Sequence, residues 1–321
     1  IITENLNQNY RLNQPDMLLL GIDIGTSFVK ISVVKADTAE CIASVSYPDT
    51  ERQILSSAPG IAEQSPEQWW DDTLTAILLL HQLKLYNPKD IAAIGISYQM
   101  HGLVMADKEK NVLRNSIIWC DSRAVQIGEK AFNDLGNEKC LQRLLNSPGN
   151  FTASKLAWVK ENEPHIFDKA AYIMLPGDYI AMKLTGEVST TITALSEGIF
   201  WDFKDQTISA ELFSYFGIEF SLIPPVKNVF SVHGLLKKEI ADKLSLKQNI
   251  PVSYKAGDQP NNAFSLNVLQ PGEVAATAGT SGVIYGVTDK LSYDRLSRIN
   301  SFAHVNYSTA HPSIGVLLCI N

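Results

Sequence analysis

The sequence predicts a mixed α/β protein of about two domains. Three observations predict it. Short apolar runs bounded by glycine, of which residues 17–24 are the first, read as buried strands. A well-punctuated helix opens between such runs at Ser65. The length of 321 residues is what roughly two domains require.

The elements follow in order. Residues 1–16 are rich in Asn and Gln without a sustained period, and read as a poorly ordered leader or an upstream extension. Residues 17–24, 28–35 and 41–47 read as three strands with tight connections, which predicts an antiparallel meander. In the helix that follows, Ser65 caps, Pro66 suits the first position, and Gln68 completes a capping box. Trp70, Leu74, Ile77, Leu78 and His81 then recur at helical spacing, and Trp69 and Trp70 read as core. Residues 91–97 form the next strand, and 103–106 with 112–119 a strand pair around the turn 107–110. Helical patterns dominate 124–184, with turns at Pro148-Gly149-Asn150 and Pro176-Gly177-Asp178. A strand over 252–256, a helix over 261–269 and a hairpin over 273–287 come next. The apolar run 314–320 reads as a strand. Left unpaired it would be an aggregation hazard, so the native protein is expected to continue beyond it.

Composition narrows the function. Lys and Arg number 27 against 34 Asp and Glu, a formal net charge of −7, which argues against broad nucleic-acid or anionic-membrane binding. Hydrophobic residues at 45% can fill a sizeable core. The longest apolar candidate, residues 74–83, is far short of the roughly 18 a membrane helix needs. No charged stretch followed by an apolar one opens the chain as a secretory signal would. Cys41, Cys120, Cys140 and Cys319 show no CxxC or metal spacing, which fits a reduced, cytoplasmic protein. The sequons at Asn150 and Asn306 then read as chance matches.

One internal repeat carries chemistry. Gly25-Thr26-Ser27 and Gly279-Thr280-Ser281 both lie between apolar strands. Glycine lets backbone N–H groups face one point, and hydroxyls add donors, so such a turn can cradle a phosphate. Two of them across a cleft would grip a polyphosphate. Either alone reads better as a hairpin turn. Asp23 precedes the first copy, and a carboxylate beside a phosphate loop makes sense if Mg²⁺ lies between them. GxxxxGK[ST] and GxGxxG are both absent, so the ordinary P-loop and Rossmann routes are closed.

The segments GIDIGTSFVK (21–30), SPEQWWDD (65–72), GISYQMHGLV (95–104), IIWCDSR (117–123), FTASKLAWVKENE (151–163), LPGDYIAMKLTGE (175–187) and AGDQPNNA (256–263) together resemble the FGGY carbohydrate kinases, members of the actin-like ATPase superfamily. The resemblance runs from about Met17 to the end of the chain. It implies the actin-like ATPase (ribonuclease H-like) fold, with a first domain over 17–257 and an incomplete second over 258–321. The implied activity is ATP-dependent phosphorylation of a ketose, D-xylulose above others. Asp258 would be the general base, Met100, His101 and Gln259 would join it in contacting the sugar, and Asp23 would help place Mg²⁺. Gly25, Thr26, Ser27, Gly279, Thr280 and Ser281 would form the two phosphate loops. The implied partner is a small sugar, with ATP and Mg²⁺ as cofactors, no nucleic acid or membrane, and a homodimer left open. Family members continue past this end, and the part beyond supplies most of the adenosine pocket.

On the residues alone, Asp258 is equally a helix N-cap and a catalyst; the resemblance favours the catalyst. His101 alone reads as a buried histidine, which Met100 and Gly102 lean towards a cleft. Asp121 and Arg123 read as a surface ion pair or as a polar wall near the sugar. His165, His233, His304 and His311 share no spacing and read as structural or surface residues. Three alternatives stay open: a non-catalytic sugar-binding or regulatory module, a kinase for ribulose, gluconate or glycerol, and, more weakly, a chaperone-like or filament-forming relative.

Overall fold

The computed structural model describes residues 17–278 and 282–320; the expected leader and the second turn, Gly279-Thr280-Ser281, lie outside the described residues. Strands β1 (Leu18–Ile24), β2 (Val29–Lys35) and β3 (Cys41–Tyr47) form the expected antiparallel meander. In β1 Leu18, Leu20, Ile22 and Ile24 alternate into the core, the period that half-buried strands show. Helix α1 (Pro66–Gln82) starts where the capping signals place it, with the Ser65 side chain accepting from the Gln68 amide. The reciprocal half of the box is not made: the Gln68 side chain turns to Asp72 at 2.7 Å. Trp69, Trp70, Leu74 and Ile77 are buried against β2 and β3. Emptying the Trp69 site to Ala would cost about 3–5 kcal/mol.

Strand β4 (Ile91–Tyr98) runs parallel to β1, and β5 (Pro251–Gly257) parallel to β4. The two-residue strand Gly234–Leu235 completes a six-stranded sheet in the order Gly234–Leu235, β5, β4, β1, β2, β3. Parallel pairing needs long crossovers. The segment between β4 and β5 accordingly holds helices α2 (Thr152–Asn162) and α3 (Pro176–Thr185). α3 packs on β4 and β5 beside α1.

Three expected connections differ. Residues 103–106 and 112–119 meet only in the isolated bridges Leu103 to Ile117 and Ala106 to Val112. Instead Val104–Ala106 pairs with Tyr172–Met174, and Ser116–Ile117 with Glu63–Gln64. Pro176-Gly177-Asp178 is the first turn of α3 rather than a loop, as proline at N1 permits. The helix expected over 261–269 starts earlier, as α4 (Asp258–Ser265).

A four-stranded antiparallel sheet follows, from β6 (Val274–Ala278), β7 (Gly282–Thr288), β8 (Asn300–Ala303) and β9 (Ile314–Ile320), in the order β6, β7, β9, β8. The expected hairpin over 273–287 is β6 with β7. The apolar end strand is not unpaired: β9 bonds β7 on one side and β8 on the other. Its Ile314 and Leu317 join Tyr285, Phe302, Leu103, Leu156 and Phe200 in one core. All four cysteines are free thiols.

Candidate active site

β1, β4 and β5 are adjacent and parallel, and they end level with one another: Ile24 sits opposite Tyr98, and Tyr98 opposite Gly257. The carboxyl ends of parallel strands are where open α/β sheets bind ligands. Each strand therefore delivers one singled-out motif to the same edge.

From β1 comes the turn Gly25-Thr26-Ser27. The Gly25 amide donates to the Phe28 carbonyl at 3.0 Å, and a Cβ on Gly25 would lie 2.9 Å from that oxygen, so only glycine fits. The Thr26 hydroxyl, expected from the motif to add a donor for a phosphate, is instead committed to protein partners. It donates to Gln99 Oε1 at 3.2 Å and accepts from the Trp119 indole at 2.9 Å. The Thr26 carbonyl accepts from Gln64 Nε2 at 2.8 Å, and Gln64 Oε1 accepts from Trp69 and Gln99. Among the described residues, none of the backbone hydrogen bonds around the turn uses the amides of Thr26 or Ser27. What Thr26 itself can offer a ligand is its backbone amide.

From β4 come Gln99, Met100 and His101. His101 has a left-handed backbone, φ 61°, which turns the chain sharply off the strand. Its Nδ1 lies 2.9 Å from the Glu197 carbonyl. A carbonyl only accepts, so Nδ1 carries the proton and Nε2 keeps a lone pair for a donor. The ring sits edge-on to Phe151 at 4.9 Å and near Phe302 at 5.3 Å. Burial, with the nearby Lys155 charge, pushes its pKa down to about 3, so the imidazole is neutral at physiological pH. Lys155, fully buried on α2, donates to the carbonyls of His101 at 3.0 Å and Ile118 at 2.9 Å. It ties the His101 loop to the loop that carries Trp119 and Asp121.

From β5 comes Asp258. Gly257 is the N-cap of α4 and Asp258 its first residue, so Asp258 is not the cap. Burial and the negative charge of Asp23 push its carboxyl up to about 7, against hydrogen bonds from the Gln259 backbone and side chain that lower it. Gln259 thereby holds the carboxylate itself. Behind it, a Cβ on Gly257 would lie 2.6 Å from both Glu197 Oε2 and Met100 Cγ, which fixes glycine there. Glu197 is 2% exposed, hydrogen-bonds the Tyr98 hydroxyl, and leaves Oε1 without a partner among the described residues. Burial holds its carboxyl well above the usual carboxylate range, against the Tyr98 hydrogen bond that lowers it.

Asp121 and Arg123 are not a surface pair. Asp121 is fully buried, meets the Arg123 guanidinium at 2.7 Å, and accepts from the Ala62 amide at 2.6 Å. Arg123 continues to Glu63 at 2.8 Å and Glu63 to Arg114 at 2.6 Å. His233 and His304 are buried and bonded to backbone carbonyls, as structural residues are.

For a metal, Asp23 offers one partly exposed carboxylate whose nearest cation is Lys30 at 3.9 Å. No group of three or more His, Cys, Asp or Glu could enclose an ion among the described residues. That donor set fits Mg²⁺ shared with phosphate oxygens and does not fit an all-protein cage.

Several residues carry no legible sequence signal. Gln64 and Arg52 belong to no periodic pattern, and Glu197 looks like one more helical residue. Trp119 and Lys155 are visible only inside IIWCDSR and FTASKLAWVKENE.

Comparison with known proteins gives the family. The model of the FGGY family of carbohydrate kinases, N-terminal domain, matches residues 18–265. The xylulose kinase of Bacillus subtilis is 31% identical over 291 residues, covering 89% of this chain and 56% of that protein. The xylulose kinase of Staphylococcus xylosus is 32% identical over 289 residues, covering 89% and 58%. The crystal structure of xylulose kinase from Rhodospirillum rubrum superposes with a TM-score of 0.83 at 27% identity, over 94% of this chain and 60% of that one. The chain thus spans a little over half the length of the curated relatives it matches.

Proposed function

The chain belongs to the FGGY family of carbohydrate kinases, and from that premise we propose that it forms the sugar- and phosphate-binding part of an ATP-dependent ketose kinase converting D-xylulose to its 5-phosphate. The observation that carries the reading is the level ending of β1, β4 and β5, with the phosphate turn, the Met100-His101 loop and Asp258 on three neighbouring strands. D-Xylulose is favoured over gluconate or glycerol by the names of the relatives and by the Gln-Met-His-Gly run at 99–102. The division at Gly257 and Asp258, where the first sheet ends and α4 begins, is the proposed domain boundary. A cytoplasmic setting goes with a metabolic kinase; among the described residues no helix is long and apolar enough to cross a membrane.

Phosphoryl transfer proceeds through a loose transition state, so catalysis is mainly positioning and neutralisation of charge. Asp258, with a pKa near 7, is ionised often enough at neutral pH to take the proton from the attacking hydroxyl. His101 Nε2 accepts from a sugar hydroxyl, and Met100, 5% exposed, supplies apolar contact. The amides of Thr26 and Ser27, unpaired among the described residues, receive phosphate oxygens. Mg²⁺, held by Asp23 with the phosphates, would neutralise charge between them.

A coupled ADP-release assay with Mg-ATP and a panel of pentuloses tests this, run on the chain and on a C-terminally extended version. Sugar-stimulated release from the extended chain is expected; none would sink the kinase reading. Binding of D-xylulose without turnover by both would favour the non-catalytic module instead.

A further inference from the structure

The phosphate turn rests on a side chain that no motif marks. Arg52 lies in the connection between β3 and α1, only 7% exposed. Its NH1 donates to the Gly25 carbonyl at 3.1 Å and to the Thr26 carbonyl at 3.2 Å. Its Nε and NH2 grip Asp72 Oδ2 at 3.0 and 2.6 Å, and Asp72 is 3% exposed. The Arg52 amide also donates to the Ser27 carbonyl at 2.9 Å. Arg52 therefore reaches all three carbonyls of the turn, sharing that of Thr26 with Gln64. Each peptide is planar, so a carbonyl fixed on one side fixes the direction of the next amide N–H.

We infer that Arg52 is a positioning residue for phosphate binding: it takes the carbonyls of Gly25 and Thr26 and so keeps the amides of Thr26 and Ser27 presented to a phosphoryl group. The inference rests on the reading of this turn as a phosphate loop. The charge of Arg52 is matched by Asp72, so it acts through geometry rather than as a cation beside the phosphate. Asp72 is anchored in turn by Gln68, which places the whole support on the rigid first turns of α1. The planar fork matters: a lysine at this site keeps the charge opposite Asp72 but cannot make parallel bonds to the carboxylate and both carbonyls at once.

Steady-state kinetics of sugar-stimulated ADP release by the C-terminally extended chain test this, on Arg52→Lys, Arg52→Gln and Arg52→Ala. The expected result is a KM for Mg-ATP raised about ten- to a hundredfold, from a small misplacement of the turn. The KM for D-xylulose should move by less than about twofold, and Lys should not rescue. An unchanged Mg-ATP KM in any variant that folds overturns the inference. So does a parallel rise of both KM values, which would make Arg52 a general structural residue. If none of the three variants folds, Arg52 is a folding residue and the inference is equally lost. Absence of sugar-dependent release by the unmutated protein is a different outcome, because it removes the kinase reading on which the inference rests.

Discussion

His101 donates its Nδ1 proton to the backbone carbonyl of Glu197, 2.9 Å away. Ninety-six positions separate the two residues. The bond decides the tautomer, and with it the role of the ring: Nε2 is an acceptor and cannot act as a cation, since burial keeps the imidazole neutral. His101→Ala should weaken D-xylulose binding by about ten- to a hundredfold, the cost of leaving a hydroxyl unpaired. Because the ring stays neutral, the affinity contributed by His101 should not vary between pH 5 and 8, a range lying above its folded pKa of about 3. Calorimetric titration with the sugar checks both statements. Full affinity in His101→Ala would remove His101 from the pocket.

Asp258 gives the second prediction. Its carboxyl must be ionised to accept a proton, and its pKa of about 7 in the unliganded chain places the acid limb of kcat/KM there, with activity rising as pH increases through that value. Asp258→Asn should lower turnover by about 10²–10⁴-fold while sugar binding persists, since amide and carboxyl share a shape. Turnover is read in the ADP-release assay and binding in calorimetry. Retained turnover would exclude Asp258 as the base.

How much of this was legible in the sequence depends on the range of the interaction. The β1–β2–β3 meander and the start of α1 were legible because strand period and capping are local. The pairing of 103–106 with Tyr172–Met174 was not, since two short apolar segments carry no mark of each other across so many residues. The same limit applies to the site. Asp23, Gly25, Met100, His101 and Asp258 sit in recognisable runs at strand ends. Lys155, Glu197 and Arg52 act through backbone carbonyls, which look alike in any sequence. Of the two readings of Asp121 and Arg123, the surface pair fails because burial depends on partners such as Glu63, sixty positions before Arg123.

Lys155 provides a test of this hidden layer. Its ammonium bridges the carbonyls of His101 and Ile118, and burial pulls its pKa down to about 7. Lys155→Met preserves length and removes both bonds, leaving two buried acceptors at about 1–3 kcal/mol each. The variant should lose stability in chemical denaturation by about 2–6 kcal/mol. Its sugar affinity should fall as well, because the His101 and Asp121 loops are no longer joined. A variant with wild-type stability and affinity would show that the bridge carries no weight.

His233 and His304 make stability depend on acid. His304 donates from Nε2 to the Val268 carbonyl at 3.0 Å, and its Nδ1 accepts from the Tyr285 hydroxyl at 2.9 Å, so both nitrogens are committed to the neutral ring. His233 is fully buried and lies near the Lys255 charge. Burial pushes each pKa down to about 4 from an unfolded value of 6.5. Between those values the unfolded chain binds a proton that the folded chain does not, so stability falls as pH drops through the window and is fully present above 6.5. The slope is at most about 1.4 kcal/mol per pH unit for each histidine. His304→Gln should start less stable at pH 7 but lose less on acidification to pH 4.5, because one of the two titrations is gone. Thermal unfolding midpoints at several pH values measure the difference. Parallel curves for variant and wild type would mean that His304 already takes up its proton in the folded state.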